Sequence, residues 1–284
     1  HPKQSFFSNL KLQNEDTDAY ESSSFNMAVG VDRKLIPGVT DEQGMILSMG
    51  LAFRYSQITD KSTLDSDKNT TNSGLNRAID PSQNFSLLYA PVKLSWDFSN
   101  DLFEPDKGGK LLLQASPYME IQSDLNFAKF FASYVHYLKL RSQPRFIIAG
   151  RLAIGQIIGA QSYELPADER LYAGGGGSVR GYGYQLIGPI DSSNHPLGGN
   201  SLLELAIESR LNFTQTMGGV VFIDAGSAFS ESFFDGSSEL LYGAGIGFRY
   251  ASPMGPLRAD IAIPVNPREG VDDSFQIYLS IGQA

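Results

Sequence analysis

The sequence predicts an all-β protein, a transmembrane antiparallel β-barrel of about twelve strands. Three observations predict it. Apolar residues recur at every second position rather than at helical spacing. Many of the alternating runs last about ten residues, which is enough to cross a bilayer at a tilt. The opposite face of these runs carries charges in mid-strand, as a wet or salt-bridged lumen requires. A soluble sandwich also alternates, but its strands are usually about 5–6 residues long.

Taken along the chain, the runs 6–12 and 25–32 alternate weakly. The run 45–55 is clear: Met45, Leu47, Met49, Leu51, Phe53 and Tyr55 share one face, and Ile46, Ser48, Gly50, Ala52 and Arg54 lie on the other, which is mostly polar and small. The run 88–97 sets Leu88, Ala90, Val92, Leu94 and Trp96 against Tyr89, Pro91, Lys93, Ser95 and Asp97. Runs 110–121, 125–140, 145–158 and 219–226 are weaker, whereas 203–211, 242–250, 257–263 and 275–281 are strong. In the strong runs Glu204, Glu208, Arg258 and Asp260 fall on the polar face. Tyr55, Trp96, Tyr250 and Phe275 close outward faces, where an aromatic girdle belongs.

Composition narrows the function. The chain has 284 residues, 22 Lys and Arg against 31 Asp and Glu, and a formal charge of −9. This balance disfavours nucleic acid, whose phosphates are met by Lys and Arg. The absence of Cys excludes disulfides, thiolate metal sites and Cys nucleophiles. No apolar run reaches the ~20 residues of a transmembrane helix, which says nothing against strands. His1, His136 and His195 are the only histidines, and none lies in a recognisable Ser/His arrangement. A membrane hydrolase therefore ranks last among the readings, and no cofactor or metal is expected.

Segments between strands alternate between short and long. The polar stretch 60–83 reads as a surface loop, 159–199 as a longer one, and 141–144 and 252–255 as tight turns. Asp32 and Asp97 each read as the end of a strand before a Pro- and Gly-containing turn. With the short turns on the periplasmic side, both termini are periplasmic. The chain opens on His1 rather than Met, which suggests a mature chain with its signal peptide removed.

The segment from Pro166 to Arg210 carries the most specific signal. It holds Arg170, the Gly174 to Gly177 run, Val179-Arg180-Gly181-Tyr182, Gly188-Pro189, Pro196-Leu197-Gly198-Gly199 and Glu208-Ser209-Arg210. Phe222-Ile223-Asp224-Ala225-Gly226 and Ser252-Pro253-Met254-Gly255-Pro256-Leu257-Arg258 follow in order. With these motifs the chain resembles the BamA/TamA superfamily of outer-membrane assembly and translocation barrels, clearly from about Asp97 onward. The resemblance implies a bacterial outer-membrane protein whose 159–199 loop folds into the lumen, with Arg180 at its tip. By strand parity Asp224 and Glu208 face inward and are the expected salt-bridge partners of Arg180. Gly243, Gly245 and Gly247 lie on one strand face and are expected to leave room for the loop.

Typical members of that superfamily carry periplasmic POTRA domains and a barrel of about sixteen strands. Here about seven strands precede the motif. Residues 1–284 therefore read as a single barrel domain without a POTRA domain, either a short member or a truncated barrel; an unpaired edge in lipid favours the short member. The first strand, 6–12, reads as short and poorly patterned, so the seam with the last strand is expected to be weak. An aromatic residue is expected beyond Ala284, where an outward position would end the last strand.

The expected role is protein or lipid insertion or transport at the outer membrane. The alternative is a closed, plugged barrel that serves as a structural or oligomerising anchor. Expected partners are outer-membrane lipid, client outer-membrane proteins or a separate periplasmic partner, and a second copy of the chain.

Overall fold

A computed structural model describes residues 4–38, 40, 43–62, 82–231, 239–252 and 255–281. Thirteen strands form one antiparallel sheet: β1 (Gln4–Asp16), β2 (Tyr20–Pro37), β3 (Gly44–Asp60), β4 (Ser82–Tyr89), β5 (Val92–Asp97), β6 (Lys107–Glu120), β7 (Asn126–Ser142), β8 (Arg145–Ile158), β9 (Ser201–Asn212), β10 (Met217–Phe229), β11 (Leu241–Ser252), β12 (Gly255–Pro264) and β13 (Gln276–Ile281). β4 and β5 pair with the same two neighbours, β3 and β6, so they are two pieces of one lane. The single strand read over 88–97 is thus broken at Ala90-Pro91, because Pro91 has no N–H to give to a ladder. Twelve lanes result.

The edges also differ from the sequence reading. β1 is not short: its 13 residues all pair with β2. Its alternation is faint because Phe7 falls on the face of Ser5, Asn9, Lys11 and Gln13, and Ser8 falls on the face of Phe6, Leu10 and Leu12. Asp32 does not end a strand, since β2 runs on to Pro37 opposite Gly44. Most of the 60–83 loop, the centre of the 252–255 turn and the chain end beyond Ile281 lie outside the described residues.

The apolar distribution is inverted relative to a soluble protein. One cross-strand row, Val221–Ile246–Ile261–Ile277, spans four strands, and its members are 62%, 59%, 44% and 61% exposed. Soluble monomers do not expose continuous apolar bands of this kind; such a face belongs against lipid. The packed core lies on the other face. There Val179, Tyr182, Leu165, Leu171 and Ile187 of the 159–200 segment are buried against Tyr20, Leu87, Phe127, Ile157 and Leu241 of the wall. This segment contains one short 3₁₀ turn, Ala167–Glu169. It touches β2 and β3 at one end of the sheet and β12 and β13 at the other. The sheet must therefore curl round it, and the fold is a barrel with a filled lumen.

Candidate functional site

The tip of the inserted loop is built from glycine conformations. Gly174, Gly175 and Gly181 have φ of 106°, 99° and 103°, values open to Gly and strained for residues with a Cβ. A Cβ on Gly181 would lie 2.7 Å from the Ile263 carbonyl oxygen, so the loop reaches the β12 backbone only because that atom is missing. Gly243 on β11 does the reciprocal work, since a Cβ there would collide with the Arg180 carbonyl oxygen. Gly245 and Gly247 do not face the loop backbone. Gly245 clears the Phe222 ring, and Gly247 clears the Asp260 and Arg249 side chains that flank the arginine.

Arg180 is held from four sides. Its Nε donates to Asp224 Oδ2 at 2.7 Å and Nη2 to Asp224 Oδ1 at 2.9 Å, a two-pronged grip on one carboxylate. Its backbone N–H donates to the same carboxylate at 3.1 Å. Nη1 reaches Glu208 at 3.0 Å and Asp260 at 3.3 Å. The guanidinium carbon lies 3.3 Å from the centroid of the Phe222 ring, so the plane is stacked as well as charge-paired. Burial works against the charged form, but the Asp224 and Glu208 contacts outweigh it and hold Arg180 above its usual range.

Three strands supply these acids at inward positions: Glu208 from β9, Asp224 from β10 and Asp260 from β12. Glu208 and Asp260 have other cations. Arg210 Nε donates to Glu208 at 2.7 Å, and Arg249 is paired with Asp260 and lies 3.6 Å from Glu208. Asp224, whose side chain is fully buried, has Arg180 alone. Tyr182 is also fully buried and donates to the Tyr242 carbonyl at 2.9 Å. Val179 packs in the same core, 0% exposed.

Sequence reasoning missed several contributors. Asp260 was assigned to the lumen but not to Arg180. Tyr278 on β13 accepts from the Gly181 N–H at 3.0 Å and donates to the Tyr182 carbonyl at 2.9 Å, tying the tip to the last strand. A second clamp holds the base of the loop. Arg54 on β3 meets Asp168 at 2.5 Å and Glu169 at 2.9 Å, Lys129 on β7 meets Glu169 at 3.4 Å, and Arg170 meets Asp60 at 2.8 Å. The inward parity of Arg54 and the adjacent acids at 168 and 169 were the only available signals. His136 bonds Tyr134 and His195 bonds Asp191; among the described residues neither bonds a serine hydroxyl.

The Omp85 superfamily domain matches residues 3–284, almost the whole chain. The chain belongs to the Omp85 superfamily. Among curated relatives, this Omp85 barrel is 31% identical over 168 residues to the outer membrane protein assembly factor BamA of Nitratidesulfovibrio vulgaris, covering 57% of the chain and 21% of the relative. It is 31% identical over 132 residues to outer envelope protein 39, chloroplastic, of Arabidopsis thaliana, covering 44% of the chain and 33% of the relative. The chain thus spans a third or less of the length of these relatives. The crystal structure of BamA from Haemophilus ducreyi lacking POTRA domains 1–3 superposes with a TM-score of 0.77 at 19% identity, over 96% of this chain and 58% of that one. CdiB from Escherichia coli superposes with a TM-score of 0.57 at 16% identity, over 97% and 48%. Both likenesses concern the barrel fold.

Proposed function

We propose that this Omp85 barrel resides in the bacterial outer membrane, with its short turns facing the periplasm, and assists insertion or transport of proteins there. One observation carries the reading: the lumen is filled by a loop tied to the wall at both ends. A wide central channel is at odds with that filling. The work is then assigned to the wall, where β1 pairs only with β2 and β13 only with β12 among the described residues. Such edges carry backbone donors and acceptors that an incoming strand can pair with. Family membership supports the reading, as does the name of the assembly factor among the relatives. Residues 1–284 are read as one barrel domain.

The test is client insertion into liposomes that contain the purified chain. A small outer-membrane client should fold several times faster than in empty liposomes. No acceleration, together with no assembly defect in cells lacking the gene, would overturn the reading. The pairing of Arg180 with Asp224, Glu208 and Asp260 favours a second reading, a plugged barrel acting as a structural or oligomerising anchor. Planar-bilayer conductance that stays shut in wild type and in Arg180→Ala, with client insertion absent, would support that alternative.

A further inference from the structure

At the turn end of the lumen a recess of about 60 Å³ opens between β8, β9, β10, β11 and β12. Four guanidinium groups line it, from Arg145, Arg210, Arg249 and Arg258, with Glu104 the only carboxylate among the described lining residues. Arg145 is spoken for: it donates to Glu104 at 2.9 Å and to Asp106 at 3.1 Å. Arg210 and Arg249 belong to the Arg180 network, and Arg258 lies beside it. Among the described residues the cations Arg180, Arg210 and Arg249 are paired with three anions, Glu208, Asp224 and Asp260.

Arg258 is the cation left over. Among the described residues it has no hydrogen bond and no ion pair within 4 Å. It sits directly opposite Arg249 across the β11–β12 ladder, a like-charge pair that destabilises a sheet unless something lies between. Gly218, next to Arg249 on the other side, has no side chain to fill the space. An unbalanced positive cluster, an arginine with all its donors free, and a recess beside them share one physical remedy: an anion bound from the turn side. The lining sets its class. The recess of about 60 Å³ has room for one small oxyanion, and the charged side chains that face it from β9, β11 and β12 are guanidinium groups.

We propose that this recess binds a single phosphate-class oxyanion, gripped by Arg258 and flanked by Arg210 and Arg249. Guanidinium forks match such oxygens in pairs. The group has two sources with the same chemistry, free phosphate and the phosphoryl group of a lipid at the turn-side interface. The site lies apart from the Arg180 grip on Asp224 and does not depend on the transport reading.

The experiment uses the purified chain in phosphate-free maltoside micelles. Inorganic phosphate is titrated against chloride at equal ionic strength, following the thermal midpoint and phosphorus NMR line width. One phosphate per chain should bind and raise the midpoint beyond chloride. Arg258→Gln should weaken binding about tenfold or more, while Arg141→Gln, at the exposed end of β7, should not. Without phosphate, Arg258→Gln should melt no lower than wild type, because it removes a repulsion rather than a contact. A second arm compares phosphatidylglycerol with diacylglycerol by native mass spectrometry. Retention of the phospholipid alone, displaced by inorganic phosphate, makes lipid the source; phosphate binding without phospholipid retention makes it a soluble anion. Phosphate behaving as chloride does, or Arg258→Gln binding as tightly as wild type, would overturn the proposal.

Discussion

Replacing Arg180 by Ala should orphan one carboxylate, not three. Glu208 would keep Arg210 at 2.7 Å and Arg249 at 3.6 Å, and Asp260 would keep Arg249. Asp224 would retain only the backbone N–H of residue 180. Leaving one buried charge unpaired costs about 3–5 kcal/mol. Asp224→Ala should cost a similar amount, because it leaves a buried guanidinium short of its two-pronged partner. The double variant should cost little more than either single one, giving an interaction energy of about 3 kcal/mol. Arg180→Lys should recover less than half of the loss, since an ammonium cannot span both Asp224 oxygens, reach Glu208 and lie flat on Phe222. The assay is denaturant unfolding of the refolded barrel, followed by the fluorescence of its single tryptophan, Trp96. Additive single costs, within about 0.5 kcal/mol, would refute this account of the clamp.

The remaining predictions concern clearance, protonation and lipid contact. Gly243→Ala pushes a methyl group into the Arg180 carbonyl and should cost about 1–3 kcal/mol, seen as faster trypsin cleavage within 159–200. The Asp168 carboxyl is raised to about 6, because burial and then the neighbouring Glu169 charge outweigh the pull of Arg54. An acid with a raised folded pKa binds more protons folded than unfolded between about 3.8 and 6, so its contribution strengthens as pH falls through that window. Protease resistance of the loop should therefore rise from pH 7.5 to pH 5, and Asp168→Asn should flatten the profile; an unchanged slope would discard this assignment. Ile246→Arg, on the outward face, should cost about 2–4 kcal/mol if it meets the bilayer midplane, measured by unfolding from liposomes, whereas a water-facing position would show almost no loss.

The fold was legible where one face of a strand is lipid-apolar and the other lumen-polar. β9, β11 and β12 alternate almost without exception, so their parity placed Glu208, Gly243 and Asp260 inward. Legibility failed at the edges. β1 mixes polar residues onto both faces, and its length is fixed by pairing with β2 rather than by its own pattern. β4 and β5 were joined because alternation continues through Ala90-Pro91 even though the ladder does not. For the site, motif and parity identified Arg180, Asp224 and Glu208, since all three lie in distinctive segments. The second clamp was not legible: Arg54 and Asp168 are separated by 114 residues, and only the curl of the sheet brings them together. Tyr278 escaped for the same reason, being 97 positions from the Gly181 N–H that it accepts.

The central claim is that the 159–200 loop lies inside the barrel with its tip on the wall, and one cross-link tests it. A Cβ on Gly176 would lie 3.4 Å from Tyr278 Cγ on β13 and would meet only that side chain, which brings cysteines at the two positions within disulfide reach. The chain has no native Cys to interfere. Gly176→Cys with Tyr278→Cys should form a disulfide rapidly in the membrane-embedded protein, detected as a mobility change reversed by reductant. Gly176→Cys paired with the outward Ile277→Cys should not. A cross-link absent from the first pair, or equal in both, would place the loop outside the lumen and contradict the account.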